Sequence, residues 1–127
     1  MAERGSRLDT EYAFGVRSFL GTMLIIETSA FTRRVQALLR DEEYRLLQVH
    51  LAARPDAGAV IKGSGGLRKL RWSVGAQGKR GGVRVIYYWS KPRDRVLMLL
   101  IYSKSERDDL TADQLKILRR LVEAEYR

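Results

Sequence analysis

The chain has no cysteine, one histidine and two prolines in 127 residues. Without cysteine there are no disulfides, no thiolate metal sites and no thiol catalysis, and the lone His50 cannot build a multi-histidine metal centre. No cofactor or metal is therefore expected. Long apolar runs are missing too: FLGTMLII, at 19–26, falls well short of the ~20 residues that span a bilayer. Arg4, Arg7 and Arg17 before that run resemble a secretory leader, but Glu3, Asp9 and Glu11 break the basic region and no small-residue cleavage site follows. A cytoplasmic location with no membrane contact is expected.

Acid is scarce where base is dense. From Lys62 to Arg107, twelve Lys and Arg stand against Asp94 and Glu106 alone, whereas the rest of the chain carries twelve cations against thirteen acids. The formal net charge of +9 thus sits entirely in the middle third. A confined basic patch is the electrostatic footprint of a polyanion, most often nucleic acid. The stretch GLRKLRWSVGAQGKRGGVRVIYYW, residues 66–89, holds six cations and no acid. Like charges crowded on neighbouring strands destabilise a hairpin, so they point to an external anion.

Along the chain, residues 1–22 show no sustained period and are expected to form an extension ahead of one domain, 23–127. MLIIE (23–27) suits a short buried strand. In TSAFTRRVQALLR, Phe31, Val35, Leu38 and Leu39 recur at helical spacing; Asp41 is the expected cap of a second helix carrying Tyr44, Leu47 and Leu51. These make a helical hairpin that Pro55 ends. Three β-branched and aromatic runs follow, LRKLRW (67–72), VRVIYYW (83–89) and RVLMLLIYSK (95–104), joined by glycine-rich and Pro92-containing turns as an antiparallel meander. Thr111 and Gln114 form a capping box before a last helix with Leu115, Leu118 and Val122 on its core face. The sum is an α+β domain: a small, mostly antiparallel sheet with its helices on one side and its other face free.

Strand parity puts Lys69 and Arg71 on one face, with Leu70 and Trp72 on the other; Arg68 joins the second set at the strand's start. Arg84 lies between Val83 and Val85, where a cation must find an anion or a wet cleft. Lys79 and Arg80 sit between glycines on GAQGKRGG, which suits phosphate oxygens and equally suits a plain hairpin connection; no Ser or Thr follows the lysine as a Walker loop requires. Tyr102 and Lys104 share a parity at the end of the last strand. Tyr87, Tyr88, Trp89 and Trp72 offer faces for base stacking, although strand aromatics more often pack the core. Were the polyanion RNA, cleavage by the neighbouring 2′-hydroxyl would need a base, an acid and positive charge for the transition state, without a metal. Lys69 and Lys104 are candidates to carry the proton, and the arginines to clamp phosphate bidentately.

Taken together, GSGGLRKLRW, GKRGGVRVIYYW and LIYSKSERDDLTADQ resemble HigB-type toxins of the RelE/ParE superfamily, from about Met23 onward. The resemblance implies a RelE-like fold, with helices against a twisted sheet. It also implies an endoribonuclease that cuts mRNA in the ribosomal A site, with a cognate HigA-like helix-turn-helix antitoxin, the ribosome and mRNA as partners. The family's basic positions fall on Lys69, Arg71, Arg84 and Lys104. RelE-type enzymes place an arginine and a tyrosine where this chain has Ser105 and Thr111, which leaves Lys69, Tyr102 and Lys104 all eligible as the general base. Arg68, Lys79, Arg80, Trp72 and Tyr88 are the expected RNA contacts. The alternatives are a ParE-like poison of DNA gyrase, which has the fold without the basic cluster, and a non-catalytic RNA-binding module.

Overall fold

The computed structural model describes residues 11–73, 82–107 and 109–126. Their element order is β1 (Phe14–Leu20), β2 (Met23–Thr28), α1 (Ser29–Leu38), α2 (Asp41–Ala53), β3 (Ala59–Val60), β4 (Arg68–Trp72), β5 (Val83–Ser90), β6 (Arg95–Ser103) and α3 (Ala112–Tyr126). The strands form one six-stranded sheet in the order β1-β2-β6-β5-β4-β3. Every neighbouring pair is antiparallel except β2 with β6, which run parallel and close the helical hairpin crossover between them.

Residues 14–20, expected to lie in an extension, instead form the edge strand β1, paired with β2. Its register shifts between Phe14 and Arg17, and most of its side chains are exposed, so no apolar alternation marks it in the sequence. The helix starts follow local chemistry. Thr28 Oγ1 accepts from Phe31 N at 3.0 Å and caps α1. Asp41 is the first helical residue of α2 and not its cap; Glu43 Oε1 reaches back to accept from Arg40 N at 2.8 Å. Before α3, Thr111 Oγ1 accepts from Gln114 N at 3.1 Å while Gln114 Oε1 accepts from Thr111 N at 3.0 Å, the expected capping box.

The expectation that all helices share one side fails. Phe31 and Val35 of α1, with Leu47 and Leu51 of α2, pack on Met23, Ile25, Val85, Tyr87, Met98 and Ile101. Leu118 and Val122 of α3 pack on the opposite face, against Leu24, Ile26, Ile86, Leu97 and Leu99. The sheet is central because β2, β5 and β6 are apolar on both faces and need cover on both. Burying each such side chain contributes roughly 1.5–3 kcal/mol.

Candidate anion-binding site

One irregularity aligns the site. Along β5 and β6, Ile86 opposes Leu100 but Tyr87 opposes Met98, so Leu99 is an extra residue on β6. This bulge reverses the parity of the strand beyond it: Met98 and Ile101 face α1 and α2, while Leu99, Leu100 and Tyr102 face α3. Tyr102 thereby comes opposite Arg84, and Arg84 in turn lies opposite Arg71 of β4. Lys69, two residues before Arg71, shares its face. Lys69, Arg71, Arg84 and Tyr102 are thus adjacent on the α3 side; Arg71 is exposed and Lys69 partly so, while Arg84 and Tyr102 are buried.

The anion among them belongs to the chain itself. Lys69 Nζ donates to Asp109 Oδ1, from the loop between β6 and α3. The Lys69 hydrogen bond and charge, reinforced by the charges of Arg71 and Arg84, hold the Asp109 carboxyl below the usual carboxylate range. Lys69 is mostly buried, with 20% of its side chain exposed, whereas 71% of the Asp109 side chain is exposed. Arg84 is only 4% exposed, so its guanidinium is held in the sheet and the Asp109 charge helps offset its desolvation.

The loop that carries Asp109 is tethered at both ends. Arg34 Nη2 of α1 donates to both carboxylate oxygens of Glu106, and Arg34 Nε donates to Ile101 O at 2.8 Å. Ser103 N donates to Glu106 Oε1 at 2.9 Å. The Arg34 hydrogen bond is the main reason that the Glu106 carboxyl is lowered. At the far end stands the Thr111–Gln114 box, to which Arg107 Nη1 adds a 2.5 Å bond on Gln114 Oε1. A cleft of about 420 Å³ opens beside the Lys69–Asp109 pair, lined by Ala59, Val60, Ile61, Ile86, Leu110 and Leu115. A smaller one of about 180 Å³ lies on the other side of Tyr102, lined in part by Arg33, Arg34 and Arg107.

The remaining expected site residues scatter. Arg68 points away from the cluster, its Nη1 donating to Gly58 O at 2.8 Å and Asp56 O at 3.2 Å, where it fixes the loop after α2. Trp72 packs on the α2 side with its ring 5.2 Å from His50, which gives His50 a packing role. Tyr88 shares the face of Arg84 but lies four residues along β5, roughly 13 Å away, against Tyr126. Tyr87 is a core pin whose hydroxyl accepts from Gly58 N at 2.8 Å and donates to Pro55 O at 2.7 Å. Lys104 follows β6 with its backbone N donating to Gly82 O at 3.3 Å, and it is exposed. Lys79 and Arg80 lie outside the described residues. Tyr102 is 2% exposed, with the Arg107 guanidinium 5.7 Å from its ring centre.

Sequence reasoning missed Asp109, because the acid-poor window ends two residues earlier, at Arg107. The DDLTADQ run was the available signal: an acid just ahead of a capping box is carried at a defined place on a helix start. Among the described residues, no helix is long and apolar enough to cross a membrane. No family model matches the chain.

Proposed function

We propose that this chain is the toxin of a type II toxin–antitoxin pair, a HigB-like, ribosome-dependent endoribonuclease of the cytoplasm that cuts mRNA in the A site without a metal. The supporting observation is the convergence of Lys69, Arg71 and Arg84 from two paired strands beside the Asp109 carboxylate, three cations on one face of the sheet. A phosphodiester suits that cluster in charge, and arginine forks match its oxygens.

In the proposed reaction Lys104, as the neutral amine, takes the proton of the substrate's 2′-hydroxyl while that oxygen attacks the adjacent phosphorus. The P–O5′ bond breaks, a 2′,3′-cyclic phosphate forms, and the departing 5′-oxygen takes up a proton. Arg71 braces the non-bridging oxygens as negative charge builds on them, and the buried Arg84 behind it adds its positive charge to the site. Lys69 donates that proton to the leaving oxygen. Lys69, Tyr102 and Lys104 are the groups to test for proton transfer, Tyr102 being the most buried of the three, with the Arg107 guanidinium over its ring. The ribosome presents the codon, so the protein needs few base-reading groups; the remaining basic surface adds sequence-independent, salt-sensitive affinity for ribosomal RNA. A cognate antitoxin, HigA-like, would silence the protein by covering this cluster.

The test is primer extension on mRNA bound to programmed ribosomes, with and without chelator. Codon-phased cuts that survive chelation support the proposal; double-strand DNA breaks on induction would instead indicate ParE-like action on gyrase. One observation favours a second reading, a binding module that does not cut: Thr111, at the family's tyrosine position, is used as a helix cap. Ribosome binding without any cleavage product would select it.

A further inference from the structure

The geometry points to Asp109 as an internal stand-in for the ligand's phosphate: its carboxylate holds the anion position framed by Lys69, Arg71 and Arg84, and an incoming phosphate enters by displacing it. This rests on the proposed phosphodiester site and deepens it, because it locates the subsite and makes it self-competing.

Three observations carry it. Lys69, Arg71 and Arg84 project from adjacent positions of β4 and β5 on one face, and Asp109 is a carboxylate bound at that face, paired to the half-buried Lys69 ammonium. Asp109 comes from a loop and not from the sheet, so it can leave without disturbing the frame of cations. The loop is anchored on either side of it, by Glu106 on Arg34 and by the Thr111–Gln114 box, which keeps the displaced carboxylate close and able to return. Most of the Asp109 side chain already faces water, so its displacement exposes little of that side chain, and an ion pair whose carboxylate is solvated resists displacement only about a few-fold.

Displacement also separates resting from engaged protein. With Asp109 in place the cluster carries one unit less positive charge, which weakens non-specific binding to any polyanion. A ligand that offers a phosphate at the right depth overcomes the block.

The test uses the full chain with two probes, inorganic pyrophosphate and a short 2′-O-methyl oligoribonucleotide that cannot be cut, titrated at low ionic strength by calorimetry. Asp109→Asn should bind both about three- to fivefold more tightly than the unaltered protein, as loss of an exposed competing ion pair allows. Asp113→Asn, which changes the net charge equally from the first turn of α3, should leave both affinities unaltered. Glu106→Gln, which loosens the tether, should shift affinity in the same direction as Asp109→Asn. Equal gains for the Asp109 and Asp113 variants, or weaker binding by Asp109→Asn, would overturn the inference. Its failure is separable from that of the nuclease proposal. Ribosomal cutting without a gain in pyrophosphate affinity removes only the stand-in, whereas the gain without any cutting removes only the nuclease.

Discussion

Under α1 and α2 the sheet presents Ile25, Val85, Tyr87, Met98 and Ile101, all buried. On the α3 side, β5 and β6 present Ile86, Leu97 and Leu99 over part of the face, and Arg84 of β5 with Lys69 and Arg71 of the neighbouring β4 occupy another part. The first face is covered by two helices from a crossover that the parallel β2–β6 pairing requires. The second is covered by one helix that begins only at Ala112, after the loop carrying Asp109. One face is thus wholly apolar under its helices, and the other combines an apolar part with a cluster of three cations.

Breaking the closed face should cost stability and nothing else. Phe31→Ala, which empties the space between α1 and the sheet, should lower unfolding free energy by about 3–5 kcal/mol in urea titration. Pyrophosphate affinity of the protein that remains folded should not change. Breaking the cation cluster should do the reverse: Arg84→Gln should cut ribosomal cleavage by roughly a hundredfold or more, the scale of losing one preorganised charge donor. Circular dichroism and melting would confirm that the fold persists. Arg68→Gln, altered on the opposite face one residue before Lys69, should leave cleavage intact; a loss as large as that of Arg84→Gln would dissolve the distinction between the faces.

Smaller effects sharpen the boundary between them. Thr111→Ala removes the cap of α3 and should cost about 1 kcal/mol, with the start of the helix showing faster amide exchange. The acid limb of stability should also carry the loop's signature. Glu106 and Asp109 are held below the ordinary carboxylate range, so each contributes stability that is present above about pH 4 and lost as pH falls through its lowered value. Both are largely solvated and the effect is small. Urea midpoints between pH 5 and pH 2 should fall less steeply in Glu106→Gln than in the unaltered chain.

Much of the fold was legible, and the failures have causes. The three helices were visible as 3.6-residue apolar stripes, and the Thr111–Gln114 box could be read directly. Edge strand β1 was not, since an exposed, bulged strand need not alternate apolar and polar residues. Strand parity correctly placed Lys69 and Arg71 together and Trp72 apart. Counting parity alone from Val96, however, would send Tyr102 to the α1–α2 side; only the extra residue at Leu99 returns it to Arg84. Arg68, Trp72 and Tyr88 looked like ligand contacts because basic and aromatic side chains serve packing as readily as binding.

The amino-acid order by itself determined the segregation of charge into the middle third, the periods that make the three helices and the strands β2, β4, β5 and β6, and the capping box at which α3 starts. These depend on residues within a few positions of one another, where propensity and hydrogen bonding act without help from distant chain. Tertiary structure alone decided that α3 crosses to the opposite face from α1 and α2, that a bulge aligns Tyr102 with Arg84, and that Asp109 meets Lys69 across forty positions of sequence. Which face a helix covers, and which acid a cluster of cations captures, is settled by burying surface on both sides of a shared sheet, and no local pattern encodes that choice.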